Sequence, residues 1–235
     1  MIFIGKVQLV ADGVEWIPAW LSVARWQPYL TYCNGDGQSA LALYEWNLHL
    51  AGAVLHDVAH VEVAIRNAYA QAFSLHWSGD SSWLLDSSSP VQERLERKRR
   101  GRLIDVNARN RASIREAVSR VRSAMNTGAI IAELPFGFWR HLSDAAHEKT
   151  VWVPYLNHAF PKGTSRKRVE QSLACINAVR NRASHHEPLF TDYRRSEVEK
   201  ASKHIIGLEQ LLLPELAAHT SATSYINRLL ENLPR

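Results

Sequence analysis

The feature that most constrains this chain is the run from about Ser39 to Trp77. Its apolar residues recur at helical spacing through Leu41, Tyr44, Leu48, Leu55, Ala59 and Val63, and Gly52 is the one breaker inside it. A strand would need strict alternation, which is absent here. The run therefore predicts a long helix, with Ser39 as a plausible N-cap. A helix of this length needs other helices along its sides.

The rest of the chain supplies them. Val14 to Leu30 is a short aromatic-rich segment with Trp16, Trp20 and Trp26, followed by turn formers at Cys33-Asn34-Gly35-Asp36-Gly37. Gly79 to Pro90 reads as a loop, with Trp83-Leu84-Leu85 as a docking patch. Ser113 to Met125 predicts a helix on Ile114, Val118, Val121 and Met125, closed by Asn126-Thr127-Gly128. Ile130 to Trp139 predicts a short helix, a break at Pro135 and an aromatic cluster. Further helices are predicted over Val151–Phe160, over Arg166 to about His186 on Val169, Leu173, Ile176 and Val179, over Arg194–Leu213, and over about Thr223–Leu233. The expected fold is all-α, a helical bundle with additional helices, in one domain over 1–235. Residues 1–37 form its aromatic N-terminal segment, 38–190 its core and 191–235 its C-terminal helices.

Charge is distributed unevenly. The formal net charge is +5, yet from Glu93 to Arg122 eleven Lys and Arg stand against four acidic residues. The remainder holds 17 basic and 19 acidic residues. A stripe of this kind is the electrostatic signature of a polyanionic partner, nucleic acid first, and a solvated helix or loop is the alternative. Arg97, Lys98, Arg99, Arg100, Arg102, Arg109 and Arg111 are the candidate RNA-binding residues. Aromatics are missing from the stripe, so base stacking falls to Trp83 or to Phe136–Trp139, unless these pack in the core.

The two cysteines, Cys33 and Cys175, make neither a disulfide framework nor a four-ligand zinc site. Reduced thiols fit the cytoplasm. No stretch of 18 apolar residues occurs and the start does not read as a signal peptide, so a cytoplasmic protein away from the membrane is expected. Phosphate-binding glycine loops and nucleophile elbows are also missing. His49, His56 and His60 share one helix face, and His56 and His60 have the spacing of two metal ligands. Without an evident third ligand an inward polar seam is the better reading, and neither a metal nor another cofactor is expected.

The densest chemistry lies in Arg180-Asn181-Arg182-Ala183-Ser184-His185-His186-Glu187-Pro188. Pro188 biases the helix to stop near His186. Asn181 and His185 share a face, and Arg182 and His186 are offset by about 100°. Arginines grip phosphate and histidines move protons near neutral pH, which suits phosphodiester chemistry. Glu187 could orient an imidazole. Cationic residues at a helix C-terminus are the structural alternative.

This string resembles the signature of the Abi-like (abortive infection) proteins of the HEPN superfamily, an Arg followed by a polar residue and, after four to six intervening positions, a His. Ala40–Asn47, Val61–Ala68 and Ile131–Trp139 resemble the family in the same order, over roughly 20–190. The resemblance implies a HEPN-like bundle, usually a homodimer with a composite site. It also implies metal-independent RNA cleavage in phage defence, through attack of the ribose 2′-OH to leave a 2′,3′-cyclic phosphate. Carried over, Arg180 binds phosphate and His185 or His186 is the acid or base, His185 first. Asn181 holds phosphate or positions the histidine, and Glu62, Arg66 and Asn67 line the pocket. A structural Glu62–Arg66 pair is an equal alternative. RNA is the expected partner, with an antitoxin or regulatory RNA possible. A non-catalytic module holding a structured RNA is the second reading.

Overall fold

The computed structural model describes residues 13–79, 81–123 and 126–234. The start of the chain, judged above for a signal peptide, and Met125 lie outside them. Ten α-helices and one two-stranded sheet occur among the described residues. They are α1 (Ile17–Leu21), α2 (Val23–Tyr32), α3 (Gly37–His76), β1 (Glu96–Arg99), β2 (Arg102–Asp105), α4 (Ala108–Arg120), α5 (Thr127–Glu133), α6 (Phe136–Leu142), α7 (Arg166–Ser184), α8 (Asp192–Leu212), α9 (Pro214–Thr223) and α10 (Ile226–Glu231). The fold is all-α, as expected.

The long helix forms, but it starts at Asp36 rather than Ser39. Asp36 Oδ1 accepts from the amides of Gln38 and Ser39 at 3.0 and 3.4 Å, and Oδ2 accepts from Ser39 Oγ at 2.6 Å. A carboxylate satisfies more of the orphan donors than a hydroxyl would, so Ser39 supports the cap instead of being it.

The buried face of α3 also differs from the expected stripe. Leu43, Leu50, Val54, Val58, Val61 and Ile65 point into the core. Leu41, Leu48 and Leu55 are half-buried and Ala59 and Val63 are exposed, so of the six named residues Tyr44 alone is buried. The outer row of α3 carries Glu45, His49, His56, Asn67 and Gln71, but the apolar band around the rest is wide, and its period alone does not select the face that meets its neighbours. Helix α3 packs against α2, α7, α8, α10 and the turn Leu156–Ala159, and α7 also packs on α8. One hydrophobic cluster runs from Val14 to Ile226.

An 18-residue window of α3 has a mean hydropathy of 1.3, so by length and composition this helix could cross a membrane, against expectation. It is also the central, partly buried core helix of the bundle, a setting that produces the same composition.

Two local expectations are corrected, and one stretch takes a form that was not predicted. Val151–Phe160 is not an α-helix: a π-turn spans Glu148–Trp152 and a 3-10 turn spans Leu156–Ala159. Helix α4 begins five residues before Ser113, with Ile114 buried and Val118 and Val121 half-buried. The charged Glu93–Arg102 stretch enters a β-hairpin in the register Glu96↔Asp105 to Arg99↔Arg102. Arg100 and Gly101, both with positive φ, supply its two-residue turn. Helix α9, unforeseen, precedes the predicted C-terminal piece, which contracts to α10.

Candidate functional site

Helix α7 turns Val169, Leu173, Ile176, Val179 and Ala183 inward, which leaves Arg180 half-exposed and Asn181 exposed. It runs antiparallel to α3. At its start, Arg166 Nη1 donates to the Ser143 carbonyl at 2.9 Å, and Ser143 Oγ lies 2.7 Å from Tyr69 Oη late in α3. At its end, the chain meets Asn47 early in α3. Asn47 is fully buried; it donates to the Glu187 carbonyl at 3.2 Å and accepts from the Leu189 amide at 2.6 Å.

The end of α7 is a six-residue cap. The His186 amide donates to the Ala183 carbonyl at 3.1 Å and the Glu187 amide to the Arg182 carbonyl at 3.0 Å. This is the Schellman pattern, with His186 at a φ of 53° where glycine is usual. Pro188 follows, where the helix cannot continue. The cap thrusts both imidazoles outward, and His185 and His186 are exposed.

The structure separates the polar residues of this string into two sets. Arg182 Nη1 donates to Glu187 Oε2 at 2.9 Å, and Arg182 Nε lies 3.6 Å from Glu197 Oε2, which also takes Arg194 at 2.6 Å. Burial acts to raise the Glu197 carboxyl, but hydrogen bonds from Arg194 and Tyr193 and the nearby charges hold it below the ordinary value. Arg182, held by Glu187, thus fastens α7 to Glu197 of α8. The other set faces solvent: Arg180 Nη1 donates to Asn181 Oδ1 at 3.3 Å, and the Asn181 carbonyl accepts from the His185 amide at 3.0 Å. His185 lies five positions after Arg180, so the two side chains leave the helix about 140° apart.

Glu62 and Arg66 pair at 3.2 Å on α3. Asn67 lines a groove with Ala64, Leu212 and Leu216, between α3 and the α8–α9 junction. Glu62 lies about 22 Å along α3 from Asn47, at a rise of 1.5 Å per residue. Within one chain this group and the α7 cap sit at different levels of the bundle. The expected inward seam of His49, His56 and His60 does not form: His49 and His56 are exposed and His60 is half-buried, the rings of His56 and His60 meeting at 4.7 Å and those of His60 and His219 at 5.5 Å. Burial, then the neighbouring His56 and His219, lower the His60 pKa.

On the basic segment, Lys98, Arg100, Arg102 and Arg109 are exposed. Arg111 is engaged by Asp105 and by the Gln92 carbonyl, and Arg97 donates to the Ala146 carbonyl at 3.0 Å. The side chain of Arg99 is outside the described set. The hairpin seats on the turn after α6, towards the Arg166 end of α7. The proposed stacking residues are core: Trp83 stacks on Phe73 at 4.3 Å, and Phe136, Phe138 and Trp139 are buried. Among the described residues, Trp16 and Trp20 are exposed and stack at 5.7 Å.

Sequence reasoning passed over Asn47. Its signal was an amide inside an otherwise apolar helical run, a place that demands a partner.

Residues 27–191 match the family model described as Abi-like protein. No curated protein and no solved structure matches.

Proposed function

The chain belongs to the Abi-like protein family, and from that premise we propose that it is a metal-independent endoribonuclease of a phage-defence system. Membership in an abortive-infection-like family supports the defence role. The observation that carries the chemistry is the division of labour at the end of α7. Every charged group needed for architecture there is paired, while Arg180, Asn181, His185 and His186 are presented to solvent.

In this reading Arg180 grips the scissile phosphate and stabilises the charge that develops on it. An imidazole, His185 first, takes the 2′-OH proton or protonates the leaving 5′-oxygen. Asn181 positions phosphate or imidazole. Arg180 and His185 diverge by about 140° on one helix, which supports a site completed by the same helix of a second chain. Two such chains would also bring together groups that one chain holds apart. The exposed arginines of the hairpin supply sequence-independent affinity, and the cytoplasm is where such RNA would be met.

A second reading is a non-catalytic module that holds a structured RNA. The seating of the basic hairpin towards the opposite end of α7 favours it, because an RNA touching both must be long.

Labelled total RNA, incubated with purified protein in magnesium-free buffer, separates the two. Cleavage leaving 2′,3′-cyclic ends, lost in Arg180→Ala and His185→Ala, is the expected result. Cleavage that persists in both variants would sink the proposed site. Salt-sensitive binding of intact RNA without cleavage would favour the second reading.

A further inference from the structure

Behind the basic hairpin, where α6 passes into the 3-10 turn Ala145–His147, three titratable side chains meet. His141 Nδ1 lies 2.9 Å from Asp144 Oδ2, and His147 Nδ1 lies 2.7 Å from Asp144 Oδ1. The opposite ring nitrogens face oxygens as well. His141 Nε2 is 3.3 Å from the Val106 carbonyl, and His147 Nε2 is 2.9 Å from Asn107 Oδ1. The Asn107 amide cannot be turned round: its Nδ2 donates to the carbonyls of Pro90 and Glu93 at 2.7 and 2.8 Å. Oδ1 is therefore the atom that meets His147.

All four ring nitrogens thus face an oxygen, and His147 Nε2 also lies 3.4 Å from Asn110 Nδ2, which donates to the same Asn107 Oδ1 at 2.8 Å. A neutral imidazole has one N–H and one lone pair. With Nε2–H on each ring, both Nδ1 lone pairs point at carboxylate oxygens; with Nδ1–H donating to Asp144, both Nε2 lone pairs point at amide oxygens, so either neutral tautomer leaves one repulsive contact per ring. Two protons would relieve this by making two imidazoliums, one on His147, which is 0% exposed. Burying that charge is costly. One divalent cation between the two Nδ1 lone pairs and the carboxylate carries the same charge as the two protons and leaves both rings neutral. The geometry is near to hand: the three ligand atoms lie within 4.8 Å of one another, and ligands around zinc stand about 3.3 Å apart. Ligating histidines are characteristically oriented by an oxygen acceptor on the far ring nitrogen, and here both have one.

We propose that His141, Asp144 and His147 form a structural site for a divalent transition cation, zinc above others, which fastens the base of the hairpin to α6. Two imidazoles and a carboxylate suit zinc. The Asp144 side chain is 25% exposed, which gives the ion an entry and solvent a coordination place. The site lies towards the Arg166 end of α7, and the helix separates that end from His185 by about 28 Å. The ion would act on architecture and not on RNA chemistry.

The test uses tag-free protein stripped of metal with a chelator. Zinc is titrated in against a chromophoric competitor while thermal unfolding is followed. The expected result is one zinc per chain, a raised Tm, and uptake weakened at least about tenfold in both His141→Gln and Asp144→Asn. The paired rings of His56 with His60 and of His76 with His158 offer other places for zinc. Zinc held equally well by both variants would therefore overturn the assignment. So would a folded wild-type chain that takes up no stoichiometric zinc, a result that depends on no variant.

Discussion

His186 holds a left-handed corner that costs a residue with a Cβ about 1 kcal/mol. The same position carries an imidazole that the proposed chemistry can use, and one substitution separates the two roles. His186→Gly should raise stability by about 0.5 kcal/mol, the relieved strain being partly offset by the freer unfolded chain. Chemical denaturation measures this. A stabilised variant that also loses RNA cleavage would assign the proton transfer to His186, and unchanged cleavage would leave it to His185. Asn47 is the opposite case, a residue whose work is wholly architectural. Asn47→Ala strands the Leu189 amide and the Glu187 carbonyl in the interior and should cost about 2–3 kcal/mol. A urea midpoint within error of wild type would show that the cap does not depend on this clamp.

At the scale of elements, the hairpin and α7 show how differently the sequence signals its structure. Helix α7 was legible end to end, because its apolar residues keep one period and Pro188 marks its exit. The hairpin was not. Arg and Lys are poor strand formers, and the strands carry no buried face to impose alternation. Their pairing relies instead on the Arg100-Gly101 turn and on the seat that Arg97 and Asp105 find against the bundle. The hairpin's exposed charges should be separable from the fold. Replacing Lys98, Arg100 and Arg102 together by serine should leave stability within about 0.5 kcal/mol. It should also flatten the slope of log affinity for single-stranded RNA against log salt by about two. An unchanged slope would remove the hairpin from the RNA interface. The aromatic candidates show the same divide. Pattern alone could not tell a stacking surface from a core, and the tertiary structure buries Trp83 and Trp139 while exposing Trp16 and Trp20.

At the scale of the whole molecule, stability should respond to pH through Glu209 on α8. Burial, and then the neighbouring Asp57 carboxylate, push its pKa up to about 7 from the ordinary 4.5. Between these values the folded chain binds more protons than the unfolded one, so stability falls as pH rises from about 4.5 to about 7. Glu209→Gln should remove that part of the slope. The difference between wild type and variant in thermal unfolding measures it directly, and parallel profiles over the window would refute the assignment. The sequence by itself determined the helical class, the long central helix, the cap-forming string at the end of α7 and the family, because each depends on residues close in the chain or on their order. Only the tertiary structure decided which face of α3 is core, which of the arginines and acids are consumed as fasteners, and that His141, Asp144, His147 and Asn107 converge. Those outcomes depend on contacts between segments dozens of residues apart, and periodicity carries no record of which neighbour a face will meet.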